Sequence, residues 1–315
     1  MRIGPSTGLA PVTSGPGGGA FRLELDFIRG EARQEGVVQR LDDIVQTVRA
    51  TPGRLFDGRA FGPGEMRRGP RGMLIEEGRD NLVADAFAPA DQVIAVAAAP
   101  HVLSVGPGGG ATISGAASGS ATPGAPLAFT PAAAGDLSLS ITGTPDWVQI
   151  EPGAFATSPI ETPAGAGGAR AGDVISLPDT SWLDPSACKL EVEWEQLQPG
   201  GLAENGVATL IRWTGALGYS RLRAGSVSFA QIRGAGGGLA VNAGAGQATP
   251  AGIHRLSWEA AGAAHQVAWS EGLSTAAGSS SVTSEPAATG IDALTLGSNG
   301  GAEFLNGWLR RITVL

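Results

Sequence analysis

Apolar and polar residues alternate with a period of two over many short runs, and that pattern predicts strands with one buried face. In "FRLELDFIRG", Phe21, Leu23, Leu25 and Phe27 alternate with Arg22, Glu24 and Asp26. "DLSLSITG" alternates Leu137, Leu139 and Ile141 with Ser138, Ser140 and Thr142. "KLEVEWEQL" places Leu190, Val192 and Trp194 on one side and Glu191, Glu193 and Glu195 on the other, as a half-buried strand requires. Runs such as "VATLIRWTG", "YSRLRAG", "SVSFAQIRG", "HRLSWEA" and "GWLRRITVL" continue this at a spacing of roughly ten residues. Asn306-Gly307 predicts a hairpin turn before the last of them. One stretch departs from the alternation. In "VVQRLDDIVQTVRA", Val37, Leu41, Ile44, Val45 and Val48 fall at helical spacing ahead of Pro52-Gly53, which predicts a short amphipathic helix.

These elements predict a mostly β chain in four parts. Residues 1–75 form an N-terminal segment with a strand and the short helix, and residues 76–155 a small β-sandwich. Residues 156–173 read as a linker, and 174–315 as a larger antiparallel jelly-roll sandwich. Fifty Gly and 21 Pro among 315 residues disfavour long helices, while 42% hydrophobic content argues against wholesale disorder. The first 20 residues, rich in Gly, Pro, Ser and Thr, are expected to be extended or mobile unless docked. "ATSPIETPAGAGGARAGD" has a linker's composition. The GPGGG at 106–110 lacks a following Lys-Ser/Thr and precedes a strand, so it reads as a turn and not a phosphate loop.

Charge narrows the partners. The formal net charge is −8, and every basic residue except Lys189 is Arg, a balance that disfavours nucleic acid. The cluster Arg54, Arg59, Arg67, Arg68 and Arg71 has Glu65, Glu76 and Glu77 beside it and reads as a solvated or protein-contacting face. Cys188 is the one cysteine, so no intrachain disulfide forms and a buried apolar role is expected. The start has no apolar core of a secretory signal, and no uninterrupted apolar run is long enough for a membrane helix. A product made and used without crossing a membrane is therefore expected. His101, His254 and His265 are scattered, with no zinc or calcium spacing around them, so no metal or cofactor is expected. Ser within the Gly-rich turns matches a nucleophile elbow only trivially.

Two stretches carry a resemblance. "RGMLIEEGRDNL" (71–82) and "DWVQIEPGAFATSPIETPAGAGGARAGDVISL" (146–177) together resemble paired motifs of virion fibre proteins from tailed phages and gene transfer agents. In these, an apolar RG-LLIE-EARTNLL-like segment leads into a small β domain that closes on a Q-x-E-x-G-x-FATS-x-I segment, a basic residue and a strand. The matching positions are Gln149, Glu151, Gly153, Phe155, Ala156, Thr157, Ser158, Pro159 and Ile160, then Arg170 and Asp173, with Gly78 and Asp80 standing where the pattern carries Ala and Thr. "LELDFIRG", "LDDIVQTVRAT" and "LFDGRAF" are similar to the family's lead-in, and "FLNGWLRRITVL" to the closing strand of its C-terminal concanavalin A-like lectin domain. Within the family the overall similarity is to head spike fibres.

The resemblance implies a structural, non-enzymatic fibre on the surface of a phage-like particle, assembled in the bacterial cytoplasm. Its N-terminal segment would attach to a capsid or spike-base protein, and its C-terminal sandwich would contact host capsular polysaccharide. Such fibres are usually symmetric homo-oligomers. A glycan face needs an exposed aromatic ring with polar neighbours. Of Trp213, Tyr219, Trp258, Trp269 and Trp308, most are expected in cores. Trp213, Tyr219 and Arg221 form the candidate glycan-binding group, since Tyr219 is the only Tyr and lies beside Gly218. Glu191, Glu193 and Glu195 resemble the E-x-D-x-E strand of jelly-roll β-glucanases, with Glu193 where Asp is expected. A polysaccharide-cleaving spike is therefore the alternative, as are a tail fibre and a capsid decoration without a ligand.

Overall fold

A computed structural model of the chain describes residues 22–197, 207–225, 228–234, 236, 239–245, 251–271, 278–283, 287 and 291–315. The chain is mostly β throughout, built from antiparallel sheets. Residues 1–21, the start of the expected 1–75 attachment segment, lie outside the described residues.

Two large sheets share one core. The ten-stranded sheet runs Gly278–Thr283, Ala264–Glu271, Gly252–Ala261, Ala187–Gln196, Gly307–Val314, Leu23–Asp26, Glu31–Gln34, Val37–Arg40, with Gly72–Ile75 also paired to Gly307–Val314 and Arg68–Gly69 to Gly72–Ile75. The seven-stranded sheet runs Leu239–Ala245, Ser228–Arg233, Gly218–Gly225, Val207–Gly215, Ile291–Leu296, Val174–Leu177, Gln46–Val48. Their inward residues join in a single cluster that includes Leu23, Leu25, Phe27, Leu190, Val192 and Trp194 from the first sheet and Ile175, Ile211, Trp213 and Leu222 from the second. The period-two alternation at 23–27 and 190–194 thus marks buried faces, as expected.

A smaller unit holds its own core. Gln92–Val96, Gly135–Gly143, Gly109–Gly115 and Gly119–Ala121 form a four-stranded sheet, and Leu127–Phe129, His101–Val105 and Val148–Pro152 a three-stranded one. Leu137 and Leu139 point inward with Ile94, Leu103 and Ile150, while Ser138 and Ser140 are exposed. The GPGGG stretch is a turn between strands, and Gly108 adopts φ 95° with no room for a side chain: a Cβ would lie 2.4 Å from the Thr144 carbonyl oxygen.

Three expectations are corrected. The helix across Val37–Val48 does not form. Val37–Arg40 is a strand, Leu41–Asp43 one 3-10 turn, and Gln46–Val48 a strand of the other sheet. Glu35 (φ 49°) and Gly36 (φ 86°) make a tight turn that folds Val37–Arg40 back on Glu31–Gln34. The β-branched valines favour this extended path, leaving Leu41 and Val45 buried but Val37, Val38 and Val48 exposed. Asn306-Gly307 is not a hairpin turn: the preceding strand, Ile291–Leu296, belongs to the other sheet. Asn306 (φ 47°) instead turns the chain between the sheets, and its Oδ1 accepts the Glu77 N–H at 2.9 Å. Finally, residues 156–173 are fixed in place despite their composition, because Ser158, Ile160, Thr162, Arg170 and Asp173 are all buried.

The N-terminal segment is likewise woven into the C-terminal sandwich. Leu23–Asp26 pairs with Gly307–Val314 over Leu23↔Val314 to Asp26↔Arg311, and Gly72–Ile75 pairs with the other half of that strand. Residues 174–315 therefore do not complete either large sheet alone.

Candidate functional site

The two motifs that carry the resemblance meet in one buried polar junction. Glu76, from the first motif, accepts the Ser158 N–H at 2.8 Å and the Ser158 hydroxyl at 2.5 Å, both from the second. Arg67 donates to Glu76 at 2.6 Å and pairs closely with Asp173. Arg170 lies 3.1 Å from Glu76 and donates to the Ser158 hydroxyl and the Glu77 carbonyl. Arg49 completes the set, donating to Asp173 at 2.8 Å and to the carbonyls of Thr51 and Gly62. These arginines and carboxylates are all buried. Arg67 is thus removed from water, contrary to the solvated reading of the Arg54–Arg71 cluster.

Burial alone would raise the Glu76 carboxyl, but the guanidiniums of Arg170 and Arg67 and the Ser158 donors overcome it and hold Glu76 at about 2. Burial also opposes charge on Arg67, yet Asp173 and Glu76 keep it more firmly protonated than usual. Glu151 differs. It accepts the Thr157 N–H and hydroxyl, and burial outweighs these bonds together with the Arg170 charge and the Gln149 side chain, so its carboxyl is raised. The remaining motif residues also have partners. Asn81 Oδ1 accepts from Val83 and Ile150, Gln149 Oε1 accepts the Ile160 N–H at 2.7 Å, and Arg79 lies over the Phe155 ring. Gly78 fits where it does because a Cβ would press on the Arg170 carbonyl and Gly172 N at 3.2 Å. The junction is buried and its charges are paired with one another, so its chemistry is structural: it locks 49–77 and 146–173 together.

The glycan candidates divide between two faces. Cross-strand neighbours share a face, and Trp213 pairs with Ser220 whereas Tyr219 pairs with Thr214 and Arg221 with Arg212. Trp213 turns into the core and stacks on Trp258 at 5.5 Å. Tyr219 and Arg221 lie on the outward face, and Tyr219 is 37% exposed. The Tyr219 ring is approached by two guanidiniums, Arg212 at 4.8 Å and Arg221 at 5.1 Å. Arg221 donates to Gln231 at 2.8 Å and to Glu303 at 2.7 Å, and Arg223 lies 3.6 Å from Glu303. Glu303 (φ 49°) also accepts from the Thr209 hydroxyl at 2.7 Å.

Sequence reasoning missed Arg212 and Glu303. Arg212 was detectable as the polar residue out of phase with Trp213, but its contact with Arg221 needs the strand register. Glu303 lies in a Gly-rich turn that carries no such signal. Among the other aromatics, Trp258 and Trp308 are buried, with Arg71 over Trp308; the Trp269 side chain lies outside the described residues.

The carboxylate strand is held by cations. Glu193 contacts Arg310 at 2.8 Å and Arg255 at 3.0 Å, Glu195 contacts Arg71 at 2.6 Å, and Glu191 contacts Lys189 at 2.7 Å. Burial pushes the Glu193 carboxyl up, but hydrogen bonds from Arg310 and Arg255 prevail and lower it. A glycosidic general acid needs the opposite shift. His101 is buried with Nδ1 2.7 Å from the Ala99 carbonyl and its ring stacked on Phe129, while the His254 and His265 rings lie against Trp194 and Trp258. Among the described residues no group of His, Cys, Asp or Glu has the arrangement to hold a metal ion. Cys188 is buried, which pushes its thiol up to about 12 and leaves it a weak nucleophile. No helix among the described residues is long and apolar enough to cross a membrane. In comparisons with known proteins, the chain matches no family model and no curated protein.

Proposed function

We propose that the chain is a structural virion fibre, of the head-spike type, whose C-terminal sandwich binds host-surface polysaccharide. The observation that carries the adhesive part is Tyr219, a half-open ring with the guanidiniums of Arg212 and Arg221 against it on the outward face of the seven-stranded sheet. An aromatic ring can stack on sugar C–H groups while fixed arginines donate to hydroxyls. The fibre part is supported by the resemblance of the two motifs and by their meeting at Glu76 and Ser158, which gives Glu76, Ser158, Arg170 and Asp173 a physical reason. In this reading the two large sheets are a concanavalin A-like jelly roll, the particle partner engages the N-terminal segment, and the fibre is a homo-oligomer.

The test is retention of the full-length chain on encapsulated bacteria and on their capsule-free derivatives. Retention that vanishes with the capsule is expected; equal retention on both, or none on either, overturns the adhesive reading. The full chain is needed because residues 23–75 supply strands to the same sheet as 187–315.

A further inference from the structure

A polar row crosses the outward face of the seven-stranded sheet. The registers Gln46↔Ser176, Ser176↔Thr295, Thr295↔Arg212, Arg212↔Arg221 and Arg221↔Gln231 place these residues in one line over six of the seven strands. The next row, Ile175, Leu296, Ile211, Leu222 and Ala230, is buried without exception. At about 4.8 Å per strand, the polar row extends for roughly 24 Å, long enough for several sugar units.

Its centre is cationic. Arg212, Arg221 and Arg223 gather near Tyr219, and Glu303 is the carboxylate for two of them, accepting from Arg221 and lying close to Arg223. Arg212 has no carboxylate partner among the described residues. It donates to the Asn299 carbonyl, and its Nε, though buried, makes no hydrogen bond. An arginine held at one end by a carbonyl and with its guanidinium carbon 4.8 Å from the centre of an aromatic ring is oriented before any ligand arrives, and its planar fork suits a carboxylate.

We infer that this row binds an acidic polysaccharide through its sugar carboxylates, with Arg212 and Arg221 taking the carboxylate and Tyr219 supporting the sugar ring beside it. The inference rests on the polysaccharide-binding reading above and narrows it to uronate-type chains. Gln46, Ser176, Thr295 and Gln231 are placed to serve the hydroxyls of neighbouring sugars. Glu303 sets the position of Arg221 and competes with the incoming carboxylate.

The experiment is affinity electrophoresis of the full-length protein in gels containing polygalacturonate, alginate or hyaluronan, with neutral dextran and dextran sulfate as comparison probes. At least one uronan should retard the wild type while dextran does not. Arg212→Ala should weaken that retardation about tenfold, the size of a lost charge-assisted hydrogen bond, with Arg212→Lys intermediate and Tyr219→Ala also weaker. Glu303→Gln, which keeps the shape and removes the competing charge, should strengthen it. Thermal melting of each variant separates lost binding from lost folding. Capsule-dependent retention on cells without binding to any uronan, or uronan binding unchanged in Arg212→Ala, overturns this inference and leaves the adhesive reading standing. Equal retardation by dextran sulfate reduces the row to a general polyanion face and overturns it too. Failure to bind both capsule and uronan removes both readings.

Discussion

Ser158 holds Glu76 twice, through its backbone N–H at 2.8 Å and its hydroxyl at 2.5 Å, and the same hydroxyl accepts from Arg67 at 2.7 Å and Arg170 at 2.9 Å. A residue from the stretch with a linker's composition thereby becomes the bridge between two buried arginines and their carboxylate. Glu76→Gln removes the charge and leaves Arg67 and Arg170 sharing Asp173. Removing one member of a buried ion pair costs about 3–5 kcal/mol, and that loss is expected in urea unfolding. Glu161→Gln is the contrast: its pair with Arg54 is largely solvated, 63% exposed on the Glu161 side, so its effect should stay within about 1 kcal/mol. Equal effects of the two substitutions would refute the locking role.

What the sequence made legible follows from the range of each interaction. Leu137 and Leu139, or Leu190, Val192 and Trp194, declare their buried face because alternation is a local property. Tyr219 and Arg221 share a face by the same rule. Val37–Val48 misled because five apolar residues at helical spacing also suit two strands of different sheets, and the turn at Glu35-Gly36 that decides between them precedes the run. The junction was visible only as a set of motif residues. Arg49 and Asp173 are 124 positions apart, and no spacing rule joins them. Arg212 and Glu303 likewise came together only once register and loop path were known.

Gly72 is required by its surroundings as well as its backbone. Its φ is 125°, and a Cβ would lie 2.3 Å from the Leu309 carbonyl oxygen in the strand it pairs beside. Gly36 has a similar left-handed backbone, φ 86°, but open space around it. Gly36→Ala should therefore cost only the backbone strain, about 1–2 kcal/mol. Gly72→Ala should cost more, about 3 kcal/mol or above, as strain and displaced backbone add. Melting temperatures of the two variants, compared with the wild type, give the ranking; the reverse order would show that the Gly72–Leu309 approach relaxes easily.

Glu193 is a buried carboxylate that two arginines hold in place. With Arg255 and Arg310 donating to it, the carboxylate stays ionised where a general acid must hold a proton. Glu193→Gln should lower stability by about 1–3 kcal/mol, and on the fibre reading both it and the wild type should release reducing ends from capsule polysaccharide only at the background level. Reducing ends that accumulate with the wild type and disappear with Glu193→Gln would reinstate the cleaving spike.

Glu76 and Glu151, both fully buried, should give opposite pH dependences. Glu76 is depressed from its ordinary 4.5 to about 2. Its contribution is present above pH 4.5 and is lost as pH falls from 4.5 towards 2, because the unfolded chain takes up the proton first. Glu151 is raised above 4.5, burial outweighing its two bonds from Thr157, the Arg170 charge and the Gln149 side chain. Its folded form keeps the proton longer, so its contribution is complete below pH 4.5 and is lost as pH rises from there through its raised folded value. Glu151→Gln cannot ionise and retains an acceptor for the Thr157 N–H. The variant should match the wild type at about pH 4 and become the more stable of the two as pH rises to 7. Urea midpoints of wild type, Glu76→Gln and Glu151→Gln across pH 3 to 8 separate these effects. A Glu151→Gln variant that loses stability at pH 7 would mean that Glu151 is ionised in the fold and belongs with Glu76 among the partners of Arg170.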